Sequence, residues 1–153
     1  VDTRIKKLKD GTYDAIMLSY AGIKFLNFDS EISEIFSPEK IIPSAGQGII
    51  ALQCREGDEE IISVLKKINH NETFMRAHIE RNILKVLEGD CETAVGAHSK
   101  VEGGKITVEA ELFSLDGLKR YYEKKTGKLE DFNQIGREVG QILKIKSNNS
   151  YKR

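Results

Sequence analysis

Between Lys105 and Phe113, Ile106, Val108, Ala110 and Leu112 alternate with Thr107, Glu109 and Glu111. This period of two describes a strand with one dry and one wet face, and it obliges the chain to supply a cover for the dry side. Glu102-Gly103-Gly104 and Asp116-Gly117 flank the strand with hairpin chemistry, since glycine accepts the positive φ of tight turns. Three strands are therefore expected, at Thr93–Val101, Lys105–Phe113 and Lys119–Lys125. The cover is expected from two helices. Thr73–Leu87 carries Met75, Ile79, Ile83 and Val86 as an apolar stripe, with Asn71-Glu72-Thr73 as its cap and Gly89 at its end. Leu129–Lys146 carries Phe132, Ile135, Val139, Ile142 and Leu143 at helical spacing. From residue 71 onward the chain thus reads as an α-β-β-β-α unit, with the polar Ser147–Arg153 tail expected to fray.

The front portion reads differently. Thr3–Lys9 is helix-compatible, with Gly11 as a stop, and Ala21–Phe28 and Asp58–Asn69 are further helices, the latter with Ile61, Val64, Leu65 and Ile68 on one side. Tyr13–Ser19 and Ile49–Leu52 contain continuous apolar runs of the kind found in parallel strands buried on both faces. Two such strands are too few for a stable sheet, so their partners are expected on an N-terminal part absent from this sequence. The start at Val1, without methionine, points the same way. The fold class is α/β (α+β): an incomplete parallel-type α/β portion, then a domain with a three-stranded antiparallel sheet packed on helices.

Twenty-four Lys plus Arg balance 24 Asp plus Glu in 153 residues, so the whole chain has no electrostatic pull toward nucleic acid or an anionic membrane. Any basic site is local. Two cysteines cannot build a disulfide scaffold, and nothing in these residues resembles a secretory leader or a bilayer-length apolar run. A reducing, cytoplasmic setting is expected.

Cys91 stands on a short link, Leu87-Glu88-Gly89-Asp90-Cys91, between a helix and a strand, where a thiol can reach a cleft and carry a covalent group. Its surroundings work against it. A helix C-terminus together with Glu88, Asp90 and Glu92 should raise the thiol pKa, so arginines from elsewhere have to offset them. Cys54, in an apolar run, reads as structural. His70, His78 and His98 show no metal-like spacing with either cysteine, and no metal is expected.

Gly89-Asp90-Cys91, Pro43-Ser44-Ala45-Gly46-Gln47-Gly48, Val1-Asp2-Thr3-Arg4 and Asp14-Ala15-Ile16-Met17-Leu18 occur in the order and at the separations of the porphobilinogen deaminase (hydroxymethylbilane synthase) family. The resemblance runs over essentially the whole chain and weakens after about Asp116. It implies a transferase of tetrapyrrole and heme biosynthesis that joins four porphobilinogen units into a linear tetrapyrrole, releasing ammonia at each addition. The primer is a dipyrromethane cofactor held by a thioether, and the matching residue is Cys91. By the same resemblance residues 1–48 form the end of a second, periplasmic-binding-like domain and a hinge. Residues 49–70 return to the first domain, and residues 71–153 form the cofactor-attachment domain. The whole enzyme is expected to be a monomer.

Pyrrole acetates and propionates make the cofactor and the growing product polyanions, which Arg holds better than Lys because its planar fork takes a carboxylate bidentately. The resemblance nominates Arg4 foremost, then Arg55 and Arg81. Gln47 and Gly48 belong to a Gly-containing stretch that permits close backbone approach and amide donation to a carboxylate, with a hinge as the competing role. The family has a second glycine where this chain has Asp90, one of the few residue types that tolerate the left-handed region. Its catalytic aspartate belongs to an N-terminal Lys-Asp context that Lys9-Asp10 does not match. No catalytic residue is therefore expected in this chain, and the chain alone is expected to be inactive. Two other readings stay open: a non-catalytic small-ligand binding or dimerisation module, and a cysteine acyl-transferase, for which only His98 is close to Cys91 in sequence.

Overall fold

The computed structural model describes residues 1–90 and 92–152. The chain divides into two compact units, Val1–Ser37 and Pro38–Arg153.

In the first unit, α1 (Asp2–Lys9) buries Ile5 and ends at Asp10, with Gly11 in the left-handed region at φ +73°. The short α2 (Tyr20–Phe25) is followed by a 3-10 turn, Asp29–Glu31, whose Glu31 forms a 2.6 Å ion pair with Lys9. The strand expected at Tyr13–Ser19 does not form. Nor, in the second unit, does the one expected at Ile49–Leu52. Among the described residues every strand belongs to one antiparallel sheet, so neither apolar run has a ladder partner. A lone strand-like segment is not stable without a sheet to join, and apolar side chains of both runs stay out: Met17 is 62% exposed and Ile50 89%.

In the second unit α3 (Glu59–Ile68) starts on Asp58, whose carboxylate accepts from the Ile61 amide at 3.3 Å. The helix forms as expected, yet Ile61, Val64 and Ile68 remain exposed. Helix α4 (Asn71–Leu87) begins earlier than its pattern suggests. Its cap is His70, whose Nδ1 accepts from the Thr73 amide, rather than the Asn71-Glu72-Thr73 group.

Strands β1 (Val95–Glu102), β2 (Lys105–Phe113) and β3 (Arg120–Lys128) form an antiparallel meander in the order β1-β2-β3. The register sets Ala97 opposite Ala110, Ser99 opposite Val108 and Leu112 opposite Tyr121. Ile106, Val108, Ala110 and Leu112 are fully buried, as their alternation demands. Ile79, Ile83 and Leu87 of α4 and Ile135, Val139 and Leu143 of α5 (Phe132–Ser147) close over them. Each such side chain contributes about 1.5–3 kcal/mol by leaving water. The two helices meet at Gly136 and Gly140: a Cβ on Gly136 would overlap the Ile79 carbonyl, and one on Gly140 would lie 2.9 Å from Val86 Cβ. On β3 Tyr121 packs on the core, but the next two core-side positions are charged. There Glu123 pairs with Lys146 and Lys125 with Glu138, each at 2.7 Å, so ion pairs carry α5 past the edge of the sheet.

Through Lys152 the tail does not fray, and Arg153 lies outside the described residues. Tyr151 is only 3% exposed and its phenol donates to the Leu87 carbonyl at 3.0 Å, while the Leu115 amide donates to the Ser150 carbonyl at 2.9 Å. A phenol that buries its ring and also satisfies a helix-end carbonyl holds a short polar segment that composition alone marks as loose.

Candidate functional site

Cys91 lies outside the described residues, but both sides of its link are defined. Helix α4 ends with Glu88, not Gly89, in the left-handed conformation (φ 52°, ψ 36°), and the Gly89 amide closes the turn on the Leu84 carbonyl at 3.0 Å. Asp90 is not among the residues of positive φ. It organises the link through its carboxylate instead: Oδ1 accepts from the Glu92 amide (2.9 Å), the Thr93 amide (3.1 Å) and the Thr93 hydroxyl (3.2 Å). An aspartate replaces glycine's conformational freedom here with an Asx-type turn. These donors, the Glu92 amide first, hold the Asp90 carboxyl below its ordinary range.

The negative end of α4 is countered in a way its own sequence does not reveal. Lys144 donates to the Val86 carbonyl at 3.3 Å and lies 3.5 Å from Glu88, which Lys152 also engages, and Tyr151 caps the Leu87 carbonyl. Hydrogen bonding by Lys152, with Lys144 beside it, lowers the Glu88 pKa. Cations from α5 and the tail thus offset both the helix dipole and Glu88. The arginines looked for in that role are lysines from a distant part of the chain.

Arg81 and Lys85, one helical turn apart and both exposed, border a depression of about 220 Å³ completed by Leu84, Glu88 and Gly89. Arg4 is exposed on α1, in the first unit. Arg55 is 90% exposed and its partner is Asp58, at 3.2 Å. Gln47 and Gly48 are exposed on a turn in which Gly46 and Gly48 both take positive φ (77° and 78°). Two of that turn's amides are already committed: Gly46 donates to Glu80 Oε2 at 2.8 Å and Gln47 to the Ser44 carbonyl at 3.0 Å. Among the described residues no acceptor takes the Gly48 amide.

Of Arg55, Gln47, Gly48 and Arg81, Arg81 alone lines the depression with Glu88 and Gly89. Sequence reasoning passed over Lys85, although Arg81 and Lys85 at i and i+4 on a helix leading to Cys91 form a legible signal. It also passed over Glu80, a buried carboxylate inside the α4 stripe, for which pattern offers no signal. Cys54 is half-buried. Among the described residues no group of His, Cys, Asp and Glu is arranged to hold a metal, and no helix is long and apolar enough to cross a membrane.

Two family profiles match the chain. One, described as "Porphobilinogen deaminase, dipyromethane cofactor binding domain", matches residues 1–63, and the other, "Porphobilinogen deaminase, C-terminal domain", residues 74–144. Among curated proteins, the porphobilinogen deaminase of Gloeobacter violaceus is 36% identical over 145 residues, which is 94% of this chain and 44% of the relative. Those of Desulforamulus reducens and Brevibacillus brevis are each 36% identical, over 143 and 144 residues, again 94% of this chain and 46% of each relative. The chain therefore spans less than half the length of the curated relatives it matches.

Proposed function

The chain belongs to the porphobilinogen deaminase family, and on that footing we propose that it is the cofactor-holding part of an enzyme that joins four porphobilinogen units into hydroxymethylbilane with release of ammonia. In this reading Cys91 carries a dipyrromethane through a thioether. A thiol suits that task because sulfur is nucleophilic near neutral pH and its bond to carbon persists. The bound group supplies the primer from which the chain of pyrroles extends.

The observation that carries the reading is the Arg81–Lys85 border of the depression ending at Gly89, two residues before Cys91 in sequence. A dipyrromethane brings acetate and propionate carboxylates, and the donor set fits them. The two long basic side chains are exposed, and Glu88, the acidic residue that lines the depression with them, is occupied by Lys144 and Lys152. Arg81 is the carboxylate fork and Lys85 a second positive charge. Arg4, Arg55, Gln47 and Gly48 are further contacts to the cofactor or the growing oligopyrrole. At the last of these the backbone amide is the donor. The acid/base carboxylate of the reaction comes from a residue outside this sequence, and Lys9-Asp10 does not take its place.

We assign residues 1–48 to the end of a second domain and its hinge, 49–70 to a return into the first domain, and 71–153 to the cofactor-attachment domain. The exposed apolar runs around Met17 and Ile50 support this, since both have the composition of inner strands and neither has a partner here. The complete enzyme works as a monomer in a reducing cytosol, a setting that the low cysteine count favours.

The test is intact mass spectrometry of the complete enzyme with and without Cys91→Ser. The expected result is a dipyrromethane mass on the wild type, positive with Ehrlich's reagent and absent from the variant. A variant that keeps the adduct, or a wild type whose Cys91 is free to alkylate, overturns the assignment.

A further inference from the structure

Glu80 is 3% exposed, and both of its carboxylate oxygens are engaged. Oε1 accepts from the Ser99 amide at 3.0 Å and the Ser99 hydroxyl at 2.8 Å, and Oε2 from the Gly46 amide at 2.8 Å. Burying a carboxylate is costly unless donors surround it, and an apolar residue would fill an interior position of α4 at lower cost. What the carboxylate does, and an apolar residue cannot, is bridge from α4 to β1 and to a turn 34 residues earlier in the sequence.

That turn is anchored along its upstream side as well. The Pro43 carbonyl accepts from the Ala97 amide at 2.8 Å, and the Ile42 carbonyl fills the place of a Gly96 side chain, 2.7 Å from where its Cβ would be. Ala45 packs on the core. Residues 42–46 therefore lie against the outer edge of β1. Beyond Gly46, Gln47, Gly48 and Ile50 are exposed, with Gly48 at φ 78° and Ile50 89% exposed. Glu80 holds the last anchored point.

We propose that Glu80 is a positioning residue that fixes the Pro43–Gly48 turn to α4 and β1, so that the Gly48 amide is presented to the anionic ligand from a rigid base. The clamp stands on geometry, whereas its service to a ligand rests on the deaminase reading above. A carboxylate is specifically required. Glutamine has one acceptor oxygen and a donor amide, so it can satisfy Ser99 or Gly46 but turns a donor toward the other.

The test is amide hydrogen exchange on the 153-residue chain carrying Glu80→Gln or Ser99→Ala. Loss of a charge-assisted bond to a buried partner predicts about tenfold or faster exchange at Gly46 in Glu80→Gln. Val108, in the core strand, should be unchanged, and Ser99→Ala should leave Gly46 protected. Unchanged exchange at Gly46, or equal acceleration at Val108, overturns the clamp. Should Glu80→Gln not fold, a through-bond coupling between the Gly46 amide nitrogen and the Glu80 carboxylate carbon in the wild type decides the same point, and its absence counts against the proposal. In the complete enzyme, Glu80→Gln should retain the adduct mass at Cys91 and raise KM for porphobilinogen more than it lowers kcat. A released turn with unchanged KM overturns the positioning role. A wild type with no adduct overturns the deaminase reading and leaves the exchange result standing.

Discussion

The phenol of Tyr151 donates a 3.0 Å hydrogen bond to the carbonyl of Leu87, joining the end of the chain to the last turn of α4 across 64 residues of sequence. Both residues are buried, and Leu87 opens the link that leads to Cys91. The helix end from which that link departs is therefore held by the tail.

Tyr151→Phe keeps the ring and removes the donor, leaving a buried carbonyl unsatisfied. The expected loss is about 1–3 kcal/mol in urea unfolding. Faster amide exchange at Gly89 than in the wild type should accompany it. An unchanged midpoint would show that water replaces the phenol without cost.

Gly136→Ala tests the contact between the two helices. Alanine improves helix propensity by about 1 kcal/mol, yet its methyl would overlap the Ile79 carbonyl, and backbone cannot yield as a side chain can. The variant should be net destabilised, by about 1–3 kcal/mol on the overpacking scale. A gain in stability would mean that α4 and α5 separate easily.

His98 should titrate below its ordinary value of 6.5, because burial and then the Arg76 charge disfavour the imidazolium, with Lys100 adding to them and Glu80 and Glu39 opposing. Between the lowered pKa and 6.5 the unfolded chain binds more protons than the folded one. Stability is therefore full above pH 6.5 and falls as pH drops through that window. NMR titration of the imidazole and unfolding curves on both sides of pH 6.5 check this, and His98→Gln should flatten that part of the profile.

Arg81→Ala in the complete enzyme should raise KM for porphobilinogen or reduce cofactor loading, by about tenfold if one charge-assisted contact is lost. Arg81→Lys should restore little of it, because an ammonium cannot grip a carboxylate bidentately. Steady-state kinetics paired with intact mass separates the two effects.

Much of the back portion is legible in the sequence. Strand β2 spans Lys105–Phe113 as its alternation predicts, and Ile135, Val139 and Leu143 cover it as their spacing predicts. Arg81, which the resemblance nominates, lines the depression with Glu88 and Gly89, while Cys91 lies outside the described residues. Glu80 escaped notice because a glutamate in a helix reads as solvated until its donors are known, and those donors come from Gly46 and Ser99. Lys144 and Lys152 escaped notice because their work lies at Glu88, 56 and 64 residues away in sequence.

By itself the sequence determined the elements whose forces are local: helices with intrinsic ladders and capping residues, hairpins closed by glycine turns, and a strand whose alternating side chains name their own dry face. Tertiary structure decided everything that needs a partner from elsewhere. Tyr13–Ser19 and Ile49–Leu52 have strand composition but, among the described residues, no strand beside them, so they form no ladder and leave Met17 and Ile50 exposed. Ser147–Lys152 has the composition of a loose tail but gains Leu87, Leu115 and Glu88 as partners, so it is held. A hydrogen bond or an ion pair belongs to two groups at once, and a pattern read along one stretch of chain names only the nearer of them.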